Sequence, residues 1–182
     1  RGYKPFGTTD YHEILKRDDI EAVFIATDWE LHIPIAIDAM KAGKAVAMEV
    51  GGAYSVQDCF DLVSTWEETR APFMFLENCC FNKEELLATA IAKKGIFGKI
   101  VHCSGAYAHD LRTEVIFGKE NRHYRLRNYL NRNCENYPTH ELGPMAKALD
   151  INRGNRMVSL VSVASKSFGM EQYVIDNKDK VD

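Results

Sequence analysis

Strict alternation of short apolar runs with helical stripes over residues 10–95 is the feature that most limits what this chain can fold into. The runs are EAVFIAT (Glu21 to Thr27), AVAMEV (Ala45 to Val50) and FMFLEN (Phe73 to Asn78). None of them alternates apolar with polar residues along its length, so each reads as a strand buried on both faces. Between them, LHIPIAIDAMKAG has helical spacing and stops at Gly43, while Ser55 and Asp58 open a helix whose apolar face includes Phe60, Val63 and Trp66. Asp10 with Glu13 has the pattern of a capping box for a short helix through Lys16, and Asn82 with Glu85 opens another that ends at Gly95. Strands separated by helices return in parallel. The expected fold class is therefore α/β, with a doubly wound parallel sheet covered on both faces.

Near residue 80 the pattern changes. GKIVHCSGAYAHD reads as a half-exposed strand, residues 110–136 are polar and aromatic without a period, a helix enters at ENYPTHELGPMAKALD, and MVSLVSVASKSF (Met157 to Phe168) reads as a strand with mixed faces. These segments predict two domains, residues 1–80 carrying the parallel sheet and residues 81–182 starting an α+β domain with an open sheet, both of them incomplete.

Composition removes several classes of function. At 182 residues, 46% hydrophobic and 27% charged, the chain can bury a substantial core. Its net charge is -3 and its Lys and Arg residues are scattered among acids, so no basic stripe exists for a nucleic-acid backbone. No apolar run approaches the length of a membrane span, and the opening RGYKPFGTTD has no signal-peptide core, which leaves the compartment open between cytoplasm and export. The five cysteines (Cys59, Cys79, Cys80, Cys103 and Cys134) are odd in number and lack C-x-x-C spacing. They read as reduced core residues, and with no histidine-carboxylate cluster at ligand spacing no metal is expected.

Ligands of open parallel sheets sit beyond the carboxyl ends of the strands. The first strand runs into Thr27-Asp28-Trp29-Glu30-Leu31-His32, the second into Glu49, and the third into Glu77-Asn78. Singly, these are solvated loop residues or a helix start; together they favour a ligand edge. Tyr137 and His140, three residues apart at a helix entrance, form a second group. They are either a proton-transfer pair or a packed aromatic beside a capping histidine, and the residues alone leave both open.

Longer blocks carry a family resemblance. ATDWELHIPIAIDAMKAGKAVAMEV, FLENCCFNKEELL, GIFGKIVHCSGAYAHDLR, YRLRN and NYPTHELGPMAKALDINRGNRMVSLVSVASK resemble the Gfo/Idh/MocA oxidoreductases. Within them they are most similar to the NAD-dependent glycosidases of glycoside hydrolase family 109, the α-N-acetylgalactosaminidase-like branch. The resemblance implies a Rossmann domain over residues 1–80, NAD as cofactor, a small-molecule sugar or glycoside as partner, and a homo-oligomer at full length. It implies that Trp29, Glu30, Leu31, His32, Glu49, Val50 and Asn78 contact NAD. Tyr107, Arg125, Tyr137, Pro138, Thr139 and His140 fall at its substrate-contacting positions, with His140 and Tyr137 catalytic.

Departures from the family pattern refine the expectation. No G-x-G-x-x-G occurs, so the chain reads as an internal segment that is inactive alone and binds NAD weakly or not at all. Gly51 and Gly52 stand where a Pro-Ala pair is common, Phe81 where tyrosine is frequent, and Glu141 where glycine is usual. Related sugar dehydrogenases carry a Glu-Lys-Pro step whose lysine assists proton removal, and here that position is Val50. The glycosidase branch tolerates valine. The implied activity is glycoside hydrolysis by transient oxidation, elimination, water addition and re-reduction, on an N-acetylhexosaminide. His140 suits the general base, Tyr137 a proton donor or orienting phenol, and Arg125 a clamp on a sugar oxygen or acyl group. The rival expectations are a plain sugar dehydrogenase and a non-catalytic sugar- or dinucleotide-binding homologue.

Overall fold

A computed structural model of the chain describes residues 2, 4–117, 124–136 and 138–179. It divides into two compact units, Arg1–Leu76 and Glu77–Asp182.

The first unit holds helix α1 (Tyr11–Leu15), strand β1 (Ala22–Ile25), helix α2 (Trp29–Lys41), strand β2 (Ala45–Met48), helix α3 (Val56–Thr69) and strand β3 (Phe73–Phe75). The strands form one parallel sheet in the order β1-β2-β3, with Ala22 beside Ala45 and Val46 beside Phe73. Ile25, Val46 and Met48 on the sheet pack against Ile33, Ala36, Ala39 and Met40 of α2 to make the core. Each of the larger side chains contributes about 1.5–3 kcal/mol by leaving water. The other sheet face is uncovered among the described residues: Phe24 is 79% exposed. The expected two-sided cover is absent here because α3 packs against α2, leaving Phe60, Val63 and Trp66 of its apolar face exposed.

Helix starts follow local chemistry. Ser55 and Asp58 form the expected capping box, Ser55 Oγ accepting from Asp58 N–H at 3.1 Å and Asp58 Oδ2 accepting from Ser55 N–H at 2.8 Å. At α1 the acceptor Asp10 instead serves the His12 N–H at 3.0 Å, and Glu13 closes no box. A five-residue helix presents so few turns that the nearer donor suffices. The Tyr11 hydroxyl ties α1 to α2 by donating to Asp38 at 2.6 Å. That bond, with burial, pushes the Tyr11 phenol up to about 12.

The second unit opens on a 3-10 turn (Asn78–Cys80), followed by helices α4 (Lys83–Lys93), α5 (Arg112–Val115), α6 (Arg125–Asn131), α7 (Thr139–Ala148) and α8 (Gly169–Asp176). Asn82 precedes α4 without a side-chain cap bond. Two expected strands are not ladders. Residues 98–110 and 157–168 form neither helix nor strand, and the one pairing among the described residues of this unit is the isolated bridge Ile151–Asn155. A segment becomes a strand only beside a backbone ladder partner, and neither segment has one among the described residues. Val158, Leu160, Val161 and Val163 are consequently 84–91% exposed. Among the described residues, no helix is long and apolar enough to cross a membrane.

Candidate active site

The carboxyl edge of the sheet is built by the strand exits. β1 leads into α2, whose first residue Trp29 is buried, as are His32 one turn on and Val50 beyond β2. The turn Gly51-Gly52 explains the fit: at φ +89 and +100 these residues hold a backbone that side-chain-bearing residues rarely adopt. A Cβ on Gly51 would overlap the Trp29 indole, and one on Gly52 would lie 2.5 Å from His32 Cβ. Trp29 and His32 thus set the shape of the edge, and the Pro-Ala pair of related chains would not fit this turn. His32 Nε2 bonds the Thr27 carbonyl at 3.0 Å, and its buried Nδ1 has no hydrogen-bond partner among the described residues. Of the residues expected at NAD, Leu31, Glu49 and Asn78 are exposed, Glu30 is half-buried with Oε2 covered, and Trp29, His32 and Val50 are buried. A buried ring nitrogen without a partner and exposed groups along one edge fit a dinucleotide laid across the strand ends.

The second unit contains a tighter arrangement. Glu77 stands at the start of the 3-10 turn, its Oε1 accepting from Cys79 N–H at 3.0 Å and meeting His140 Nδ1 at 2.6 Å. The two side chains are 5% and 8% exposed. Small residues on α7 make this approach possible. A Cβ on Gly143, one turn beyond His140, would lie 2.9 Å from Cys80 Sγ and 2.9 Å from Glu77 Cγ. Gly105 does the same for the segment between α4 and α5, since its Cβ would lie 2.9 Å from Glu141 Cβ. The Tyr107 ring meets the His140 ring edge-on at 4.5 Å.

The Glu77 Oε1–His140 Nδ1 hydrogen bond fixes the orientation of the imidazole ring. Glu77 Oε2, Thr139 Oγ1 and Glu141 Oε2 are buried without hydrogen-bond partners among the described residues, a concentration of unsatisfied oxygen at one helix entrance. Burial pushes the Cys79 thiol up, with Glu77 adding to the effect. Cys79 does join Glu77 and His140 in a group whose candidate ligand atoms lie within 4.8 Å, a cluster that sequence spacing did not reveal. The 2.6 Å contact is shorter than the roughly 3.3 Å between ligands held at about 2.0–2.1 Å around one tetrahedral zinc, so the pair is hydrogen-bonded to itself.

The structure places the other expected residues as follows. Thr139 and His140 begin α7, and Pro138 is its exposed N-cap. Arg125 opens α6 with its guanidinium 5.5 Å over the Tyr124 ring. Asn78 is exposed beside buried Glu77. Tyr137 lies outside the described residues.

Comparison with known proteins fixes the family. Residues 81–182 match the C-terminal domain of glycosyl hydrolase 109, and residues 4–76 match the oxidoreductase family with an NAD-binding Rossmann fold. The chain belongs to glycosyl hydrolase family 109. It is 42% identical over 176 residues to the alpha-N-acetylgalactosaminidase of Bacteroides fragilis, covering 94% of this chain and 41% of that one. It is 37% identical over 190 residues to the alpha-N-acetylgalactosaminidase of Tannerella forsythia, covering 93% and 40%. A glycosyl hydrolase family 109 protein of Solibacter usitatus is 39% identical over 171 residues, covering 94% and 38%. The chain thus spans about two fifths of the length of the curated relatives it matches. Among solved structures, it is similar to levoglucosan dehydrogenase in complex with NADH and levoglucosan, at 29% identity and TM-score 0.49 over 51% of this chain and 25% of that one. The Rossmann match makes NAD the cofactor class of this family 109 chain's first unit.

Sequence reasoning named His140 but not its partner. Glu77 was visible only as a polar strand end, and no local pattern joins it to a histidine 63 positions away. Gly143 and Gly105 carried no signal at all, because their role is the space they leave.

Proposed function

We propose that the full-length family 109 protein hydrolyses an N-acetylhexosaminide with His140 as general base. The observation that carries this is the buried Glu77–His140 pair at 2.6 Å, with partnerless oxygens at the same helix entrance. The chemistry that NAD supplies when bound is reversible hydride exchange with a sugar carbon, which acidifies the neighbouring C–H. The first unit contributes Glu30, Leu31 and Glu49 as the residues to hold the cofactor, with Trp29, His32 and Val50 beside them. His140 Nε2 removes the acidified proton, and Glu77 stabilises the imidazolium that results. Arg125 and Thr139 hold sugar oxygens, and Tyr137 donates a proton or orients the leaving oxygen. Valine at position 50 supports hydrolysis over simple dehydrogenation, which would lack its usual lysine.

The test is turnover of an N-acetylgalactosaminide by the full-length enzyme in D₂O. Deuterium should enter the sugar carbon next to the oxidised centre, without accumulation of reduced nicotinamide. His140→Ala should lose about 10²- to 10⁴-fold in turnover with NAD content and fold intact. Accumulating reduced cofactor without deuterium would establish a plain dehydrogenase instead, and ligand binding without either would establish a sensor. The proposal includes assembly into a homo-oligomer, supported by the exposed apolar residues Val158, Leu160, Val161 and Val163 and tested by light scattering.

A further inference from the structure

Beside the Glu77–His140 pair stands a third donor to which the chemistry above gives no role. Glu77, Cys79 and His140 each bring one atom to a common centre, a carboxylate oxygen, a thiol sulfur and a ring nitrogen, all within 4.8 Å of one another. The local fold gathers them. Glu77 caps the 3-10 turn by accepting from the Cys79 N–H at 3.0 Å, which brings residue 79 alongside its carboxylate, and α7 adds His140 at 2.6 Å.

The centre is short of positive charge. Both of those contacts fall on Oε1 of Glu77, and Oε2 is buried with no hydrogen-bond partner among the described residues, in a side chain only 5% exposed. A bare oxygen on a buried carboxylate is costly, and a bound cation removes the cost. The donor set selects the kind of cation. Magnesium and calcium prefer all-oxygen shells, which one carboxylate beside sulfur and imidazole does not offer. Nitrogen, oxygen and sulfur together suit a borderline-soft dication of the zinc class, with water in the fourth position of a tetrahedron. The 2.6 Å contact is the closed, metal-free arrangement, and ligands of one zinc stand roughly 3.3 Å apart, so binding opens the pair by about 0.7 Å. Small side-chain rotations supply a shift of that size. The thiol proton and the proton shared by Glu77 and His140 pass to water as the metal enters.

We infer that Glu77, Cys79 and His140 form a binding site for a zinc-class dication, and that its occupation reversibly inhibits the hydrolysis proposed above. The inhibition, though not the site, rests on that proposed function. A dication on the imidazole draws electron density from the ring and takes the carboxylate that would stabilise the imidazolium. His140 then cannot accept the proton of the sugar while the metal stays. Hydrolysis belongs to the metal-free form, and Cys79 serves the metal alone.

Titration of the full-length, NAD-loaded protein with cobalt(II) and zinc(II), after removal of metal by a chelator, tests both parts. Cobalt should develop a thiolate charge-transfer band in the near ultraviolet, and zinc should abolish it by competition. Zinc should bind with a dissociation constant on the order of micromolar. Turnover of an N-acetylgalactosaminide should fall over the same range of zinc and return when chelator is added. Cys79→Ala, which keeps the backbone N–H on Glu77, should remove the band and weaken zinc inhibition about 100-fold or more, while metal-free turnover stays within about twofold of wild type. Cys79→Ser repeats the test if the alanine variant fails to fold, and Cys59→Ser and Cys134→Ser, at exposed thiols, should change nothing. A band that survives replacement of Cys79, or no band in wild-type protein that hydrolyses the glycoside, would overturn the site and leave the glycosidase standing. A Cys79-dependent band in protein that hydrolyses no glycoside would uphold the site and overturn the proposed function. Zinc bound through Cys79 with turnover unchanged would overturn the inhibition together with the assignment of His140 as base.

Discussion

Replacing Gly143 by alanine should suppress the hydrolysis proposed for the full-length protein without removing any of the groups proposed to react. The added Cβ would sit 2.9 Å from both Cys80 Sγ and Glu77 Cγ. Nonbonded carbon contacts settle at about 3.5–4.0 Å, so α7 and the 3-10 turn must separate by roughly 0.5–1 Å. The Glu77–His140 bond lies on that same interface, and the separation stretches its 2.6 Å to about 3.1–3.6 Å, the outer limit of a hydrogen bond. Overpacking of this kind costs about 1–3 kcal/mol. A base displaced by such a distance loses about 10- to 100-fold in turnover. Steady-state kinetics and thermal unfolding of the full-length protein give both numbers, with Gly169→Ala as control because nothing lies within 4 Å of a Cβ there. Adding Cys80→Ala to Gly143→Ala should return part of the activity by opening room. Turnover within about twofold of wild type for Gly143→Ala, at unchanged stability, would refute the argument that the close helix approach positions the base.

Gly52→Ala should destabilise the first unit by about 2–6 kcal/mol, combining an unfavourable backbone with crowding against His32 and the Trp29 carbonyl; amide exchange across α2 and β2 measures it, and Gly43→Ala, with open space around it, should cost only about 1–2 kcal/mol. Ser55→Ala should cost about 0.5–2 kcal/mol through loss of the α3 cap, read by urea denaturation. Because the Tyr11 phenol is raised from 10.0 to about 12 in the folded chain, its bond to Asp38 contributes stability below pH 10 that is lost as pH climbs toward 12; Tyr11→Phe should flatten that alkaline slope in a pH series of melts. Exposed Cys59 and Cys134 should be alkylated by iodoacetamide well before Cys79 and Cys80, whose thiols burial pushes up, as peptide mass spectrometry over time will show.

The first unit was largely legible because its signals are local. Ser55 and Asp58 lie three residues apart and cap each other, Gly43 ends α2, and apolar runs such as Ala45–Met48 form strands wherever a neighbour exists. Residues 157–168 misled for the complementary reason: their composition favours a strand, but composition cannot supply the partner on which a ladder depends. At the candidate site, the place of His140 at a helix entrance was legible from its block and its contact with Glu77 was not, since a buried carboxylate and a solvated one look alike until a second helix is laid against them. The role of Gly143 is steric, and a missing side chain leaves no pattern to read.

The 63-residue span between Glu77 and His140 makes the dyad a late arrival in folding. Closing a loop of that length costs about 4 kcal/mol beyond a constant, whereas the turns and caps of the neighbouring helices close over a few residues. Helical signal should therefore recover ahead of the Glu77–His140 contact on dilution from denaturant, and the interval between them is the time α7 takes to find its carboxylate.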